Sequence, residues 1–206
     1  MQQRLTALLP TAALLLVLAG CASTQMNAEW SNPQFKGRSL KGQNVLVVCA
    51  AQDFTSQQLC EDQMAARMTA GGARVVRLPA NDPSAGANNE ALQAAAKRAG
   101  ATAVSRTNLS VAAAVANPGP SFSIGIGGFG GGGGGGGYGA GGGVSAPIGG
   151  ATTSLAYSAE TTIIDASSGA TIWSGRATTP TSNDLSAQLS DLSRVTTESM
   201  QKAGLI

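Results

Sequence analysis

Residues 44–78 read NVLVVCAAQDFTSQQLCEDQMAARMTAGGARVVRL. Asn44–Ala50 is a short apolar run after a glycine, which is how a buried strand reads. Residues 55–70 then switch to helical spacing. Thr55 or Ser56 can cap that helix, Glu61 and Asp62 suit the positive end of its dipole, and Gly71 and Gly72 stop it. Cys60, Met64 and Met68 recur every four residues, a stripe that belongs to a core rather than to a cofactor box. Residues 73–78 are a second strand, closed by Pro79. Alternation of strand and helix predicts parallel strands for this half of the chain.

Further on, residues 90–99 form a second helix that Gly100 ends. The period then changes to two. Thr107, Leu109, Val111, Ala113 and Val115 fall on one face of a long strand, and Leu155, Tyr157, Ala159, Thr161 and Ile163 repeat the pattern. The two runs predict one hairpin, with residues 121–126 extending its first arm. Residues 165–169 are a tight turn with Gly169 free for the left-handed position, and residues 171–175 begin a returning strand. Asn183 or Ser182 caps a last helix whose stripe is Leu185, Leu189, Leu192 and Val195, and Gly204 ends it. The order β-α-β-α-β-β-β-α predicts a single α/β domain with a mixed sheet.

The N-terminus addresses the chain. Arg4 is followed by an apolar stretch over residues 8–18, too short for a stable span, so residues 1–20 read as a secretory signal. Leu18-Ala19-Gly20-Cys21 resembles the lipobox of bacterial lipoproteins. That resemblance implies cleavage before Cys21, lipid on its sulfur and a membrane held through that lipid. Ala22 stands where an aspartate would favour the inner membrane, which points to the outer one, with the domain in the periplasm. Residues 21–42 are polar and broken by Pro33, Gly37 and Gly42, and read as a tether whose Trp30 and Phe35 could dock on the domain. The domain spans residues 43–206. It is interrupted at 125–150, where most of the 28 glycines lie. Glycine has no side chain to bury and loses most entropy on ordering, so this stretch predicts a disordered loop. It is a spacer, or a partner-binding tip with Phe129 and Tyr138 as its aromatic contacts.

Composition narrows the function classes. The formal net charge is +2 and 12% of residues are charged, so no basic patch argues for nucleic acid. There is no histidine, which excludes histidine-based triads and metal sites. Residues 125–130 match GxGxxG, but glycines follow where a nucleotide site needs a helix. Ser199 and Lys202 match SxxK without the partner motifs of that chemistry, and read as a solvated helix face. Asp53, Glu61 and Asp62 do not converge as a carboxylate pair. No enzyme, cofactor or metal is therefore expected. With Cys21 lipidated, Cys49 and Cys60 are the two remaining thiols in an oxidising compartment. They predict a disulfide, against the alternative of two buried free thiols.

Residues 94–104, AAAKRAGATAV, are similar to the "helix–Gly-Ala-Asp–strand" passage of a group of envelope proteins, with Thr102 where aspartate is usual. Residues 164–173, IDASSGATIW, resemble that group's "Asp-x-x-x-Gly-x-x-x-Trp" hairpin through Asp165, Gly169 and Trp173. The group holds the curli secretion lipoprotein, the lipoprotein activators of penicillin-binding proteins and the N-terminal domain of the Tol-system propeller protein. The resemblance implies the fold and a non-catalytic role: docking a periplasmic protein or a cell-wall assembly. The alternative it leaves open is a subunit of an outer-membrane secretion pore whose long hairpin enters the membrane. It names neither the partner nor the oligomeric state.

Overall fold

The computed structural model describes residues 23–79, 82, 88–117, 121–124, 144–147 and 152–206. The chain joins the sheet sooner than its composition predicts. Gln25–Ser31 is a strand, β1, and a 3-10 turn follows at Pro33–Phe35. Then come β2 (Asn44–Ala50), α1 (Phe54–Ala70), β3 (Arg74–Arg77), α2 (Asn89–Arg98) and β4 (Ala103–Asn117). The rest is β5 (Ser121–Ile124), β6 (Val144–Pro147), β7 (Thr152–Asp165), β8 (Thr171–Thr178) and α3 (Leu185–Lys202). Without the small β5–β6 pair, the order from β2 onward is β-α-β-α-β-β-β-α.

Six strands form one sheet in the order β1-β8-β7-β4-β2-β3. β3, β2 and β4 are parallel, and β4, β7, β8 and β1 are antiparallel. The sheet is mixed because a helix separates β2 from β3 and β3 from β4, whereas β4, β7 and β8 are joined as neighbours with no described helix between them. β5 and β6 pair in a ladder of their own, so 121–124 continue the hairpin after a break rather than lengthening β4.

Helices lie on both faces. α1 and α3 cover one, where Val45, Val47, Cys49, Cys60, Met64, Met68, Ile163, Trp173 and Met200 are buried together. α2 covers part of the other, packing Leu92, Ala95 and Ala96 on Leu46, Val48, Val104 and Ile164. The residues of β2 are almost all buried, which is why that strand reads as a continuous apolar run.

Four local expectations need correction. The segment read as a tether is structural: β1 pairs with β8 from Gln25 opposite Thr178 to Ser31 opposite Trp173, and Leu40 is fully buried. Phe35 packs against the core while Trp30 stays half exposed. The caps also differ. Asp53 caps α1 by accepting from the Ser56 N–H at 2.9 Å, and Asp184 caps α3 by accepting from the Ala187 N–H at 2.9 Å. The Ser56 hydroxyl and N–H hold the Asp53 carboxyl below its ordinary pKa. Finally, the register of β4 shifts between Val111, opposite Tyr157, and Ala113, opposite Ala156. Two residues oppose one there, so Ala113 and Val115 turn to the face opposite that of Thr107, Leu109 and Val111.

Candidate interaction face

α2 is too short to cover its side of the sheet. Beside it, two rows of side chains cross β4, β7, β8 and β1. One runs Arg106, Thr162, Ser174, Trp30, and the next Asn108, Glu160, Arg176, Ala28. Alternation along the strands puts these rows on the α2 side, because Val104 and Ile164 lie beneath that helix. Within the rows the Arg106 guanidinium donates to Asn89 Oδ1 at 3.1 Å, and that of Arg176 to Glu160 Oε2 at 3.3 Å. Trp30, 50% exposed, ends the first row. Arg176 and Glu160 are both more than half exposed, so their pair contributes at most ~1 kcal/mol and can be exchanged for contacts with a partner. A tryptophan beside an arginine is the composition of an interface anchor.

Other candidate residues fall elsewhere. Cys21, Phe129 and Tyr138 lie outside the described residues, as do the 125–130 glycine motif and the signal at 1–20. Cys49 and Cys60 are brought together as a disulfide, with Cα atoms 6.1 Å apart and both residues buried. The bridge ties the end of β2 to the second turn of α1.

Glu61 does not serve the helix dipole. α1 starts at Phe54 and its first turn holds no acidic residue. Instead the Glu61 carboxylate accepts from the Cys49 N–H at 3.1 Å. β3 ends at Arg77, opposite Val47, so no strand reaches Cys49 on that side. The glutamate supplies the acceptor that a longer β3 would have offered. Asp62 pairs with Arg77 at 2.6 Å. The SxxK serine is likewise no solvated group: Ser199 is buried, and its hydroxyl donates to the Glu29 carboxylate, tying α3 to β1.

Asp165 organises the β7–β8 turn. Its Oδ1 accepts from the Ser167 N–H at 3.0 Å, the Ser168 N–H at 2.8 Å and both serine hydroxyls, and its Oδ2 meets Arg38 at 2.5 Å. Burial alone would raise its pKa. The hydrogen bonds and the guanidinium outweigh burial and hold the carboxyl well below the ordinary range. Gly169 takes φ +75° two residues before the returning strand begins. Trp173 is fully buried, and a Cβ on Gly175 would sit 2.4 Å from its ring. The Asp165, Gly169 and Trp173 pattern is thus a folding device. Among the described residues, no group of three or more Cys, Asp or Glu side chains is placed to hold a metal ion, and no helix is long and apolar enough to cross a membrane.

These features define an α/β domain with helices on both faces of a mixed sheet and part of one face left uncovered by the described residues. No protein-family model matches the chain, and no curated protein matches its sequence. Solved structures do match. PelC from Paraburkholderia phytofirmans, solved as a dodecamer, is 16% identical with a TM-score of 0.50, covering 89% of this chain and 99% of that one. Lipoprotein GNA1162 from Neisseria meningitidis is 15% identical with a TM-score of 0.44, covering 78% of this chain and 99% of that one. At 16% identity the likeness to PelC fixes the architecture and nothing finer.

Proposed function

We propose that the protein is a non-catalytic envelope lipoprotein, held to the outer membrane by lipid on Cys21, whose periplasmic domain docks a protein or cell-wall assembly through the bare face of its sheet. Trp30 carries the docking: a half-exposed indole ending a row of polar side chains on a face that α2 leaves open. The anchor rests on Leu18-Ala19-Gly20-Cys21. Each buried methylene contributes about 0.8 kcal/mol, so two or more acyl chains make release negligible.

A photo-crosslinking residue at Ala28, exposed on the same face, with another at Lys97 as control, tests the reading in cells that also receive a clickable fatty acid. Position 28 is expected to give one discrete adduct and Lys97 none, and Trp30→Ala should remove the adduct. Cys21→Ser should abolish the fatty-acid label. Equal labelling of wild type and Cys21→Ser would sink the anchor, and an empty lane for position 28 would sink the docking face.

A second reading has an observation of its own. Over 89% of this chain and 99% of the other, the fold matches a protein solved as a dodecamer. On that reading the chain is one subunit of an outer-membrane secretion assembly. Extraction in mild detergent followed by mass measurement separates the two, since a ring of many copies and a single chain differ by an order of magnitude in size.

A further inference from the structure

We infer that the end of the domain from which β4 and β7 project rests on the bilayer, and that this two-stranded arm dips into the headgroup and acyl boundary as a second, non-covalent anchor. The inference rests on the lipid at Cys21 proposed above.

Register places the anchor and the arm together. Gln25 is opposite Thr178, Thr178 opposite Ser158, and Ser158 opposite Ser110, so these four residues form one row across the sheet. β1 runs from this row toward Trp30, so the chain before Gln25 starts on the side toward which β4 continues. The four residues from Cys21 to Gln25 reach at most about 14 Å. β4 goes on past the row from Ser110 to Asn117, paired as far as Thr152, a length of about 20 Å. A cysteine seated in the bilayer therefore holds the base of the arm by a tie shorter than the arm itself.

The chemistry of that end agrees. Among the described residues the exposed large apolar side chains are Trp30, Phe54, Val111 and Val115. Three of them lie here, because β2 runs parallel to β4 with Ala50 opposite Asn108, and α1 therefore begins at the same end with Phe54. Val111 and Val115 sit on opposite faces of the arm, owing to the bulge between Val111 and Ala113. A ribbon resting on its own core needs one apolar face, whereas one surrounded by lipid needs two. No Asp, Glu, Lys or Arg occurs between Arg106 and Glu160. The carboxylates of Asp53 and Asp184, at the same end, are engaged as helix caps. Spanning is disfavoured for a two-stranded ribbon, because its outer edges would leave backbone groups unpaired in hydrocarbon. The boundary region, roughly 5–10 Å deep, still hydrates them.

The test uses the full mature lipoprotein in phosphatidylethanolamine–phosphatidylglycerol vesicles containing doxyl-labelled phosphatidylcholine. Val115→Cys and Lys97→Cys are labelled with bimane, and intact mass reports the acyl chains. Lys97 is exposed near the end of α2, at the opposite end of the sheet. The bimane at 115 is expected to emit to the blue and be quenched at least threefold more than that at 97, most strongly by doxyl groups near the headgroup. Equal quenching at the two positions, with lipid present by mass, overturns the inference and leaves the anchor standing. A blue shift at 115 without quenching also overturns it, since the arm would then be covered by protein, a second copy included. A mass without acyl chains removes the anchor reading, and the inference falls with it.

Discussion

Asp165 shows how much one carboxylate can organise: it binds both serines of its own turn and an arginine from far away in sequence. Its pKa is held below that of an unfolded aspartate, so its stabilising effect is present above about pH 4 and is lost as the pH falls from there toward the folded value. Asp165→Asn should cost about 2 kcal/mol near neutrality, the range for hydrogen bonds to a charged group. In urea melts the gap to wild type should narrow between pH 5 and pH 3, and a gap that ignores pH would show that charge is not what matters. The disulfide is the second residue-scale case. Its partners are separated by 11 residues, and in the chain-entropy model closing so small a loop contributes about 2–3 kcal/mol. Alkylation of the isolated protein without reductant should leave Cys49 and Cys60 unmodified. The Cys49→Ala, Cys60→Ala double variant should lose that stability in the same melts. Cysteine pairing was legible because two thiols remain once Cys21 is set aside. Caps were not, because Asp53, Thr55 and Ser56 all offer oxygens within one turn, and only geometry selects among them.

At the scale of elements, the apolar runs and glycine stops located α1, α2, α3 and the inner strands, while β1 escaped. Gln25–Ser31 reads QMNAEWS, and Met26 alone in it is partly buried. Its fold comes from pairing with β8 at the sheet's edge, where a strand needs little apolar alternation and charge is an advantage. Comparing two unlipidated chains, one starting at Ala22 and one at Asn32, tests its weight. Losing the Met26 contacts and the β1–β8 ladder should lower the melting temperature by about 5 °C or more, given that 1 kcal/mol moves a domain of this size by roughly 2–4 °C. The shorter chain should also aggregate, because β8 becomes a bare edge. Equal melting temperatures would return the segment to the status of a tether. The bulge after Val111 escaped for a related reason: a run of small and β-branched residues carries no mark of where a ladder gains a residue.

For the whole molecule, the β-α-β-α-β-β-β-α order was legible because strand and helix periods alternate cleanly. The bare face was not, since the part of the sheet that a ten-residue α2 covers depends on where it lands. Trp30 reads in sequence as a residue that could dock on the domain, whereas its place in the row leaves it half exposed. The pairing of β1 also sets an order in time. Its partner β8 comes more than 140 residues later, so the first strand of the domain is the last that can close. On the proposed reading, in which the chain is exported, β1 therefore stays unpaired until Thr178 has emerged. On the same reading, whatever acts at Cys21 does so while the strand that starts four residues later is still unpaired, and pairing of β1 with β8 comes only afterwards.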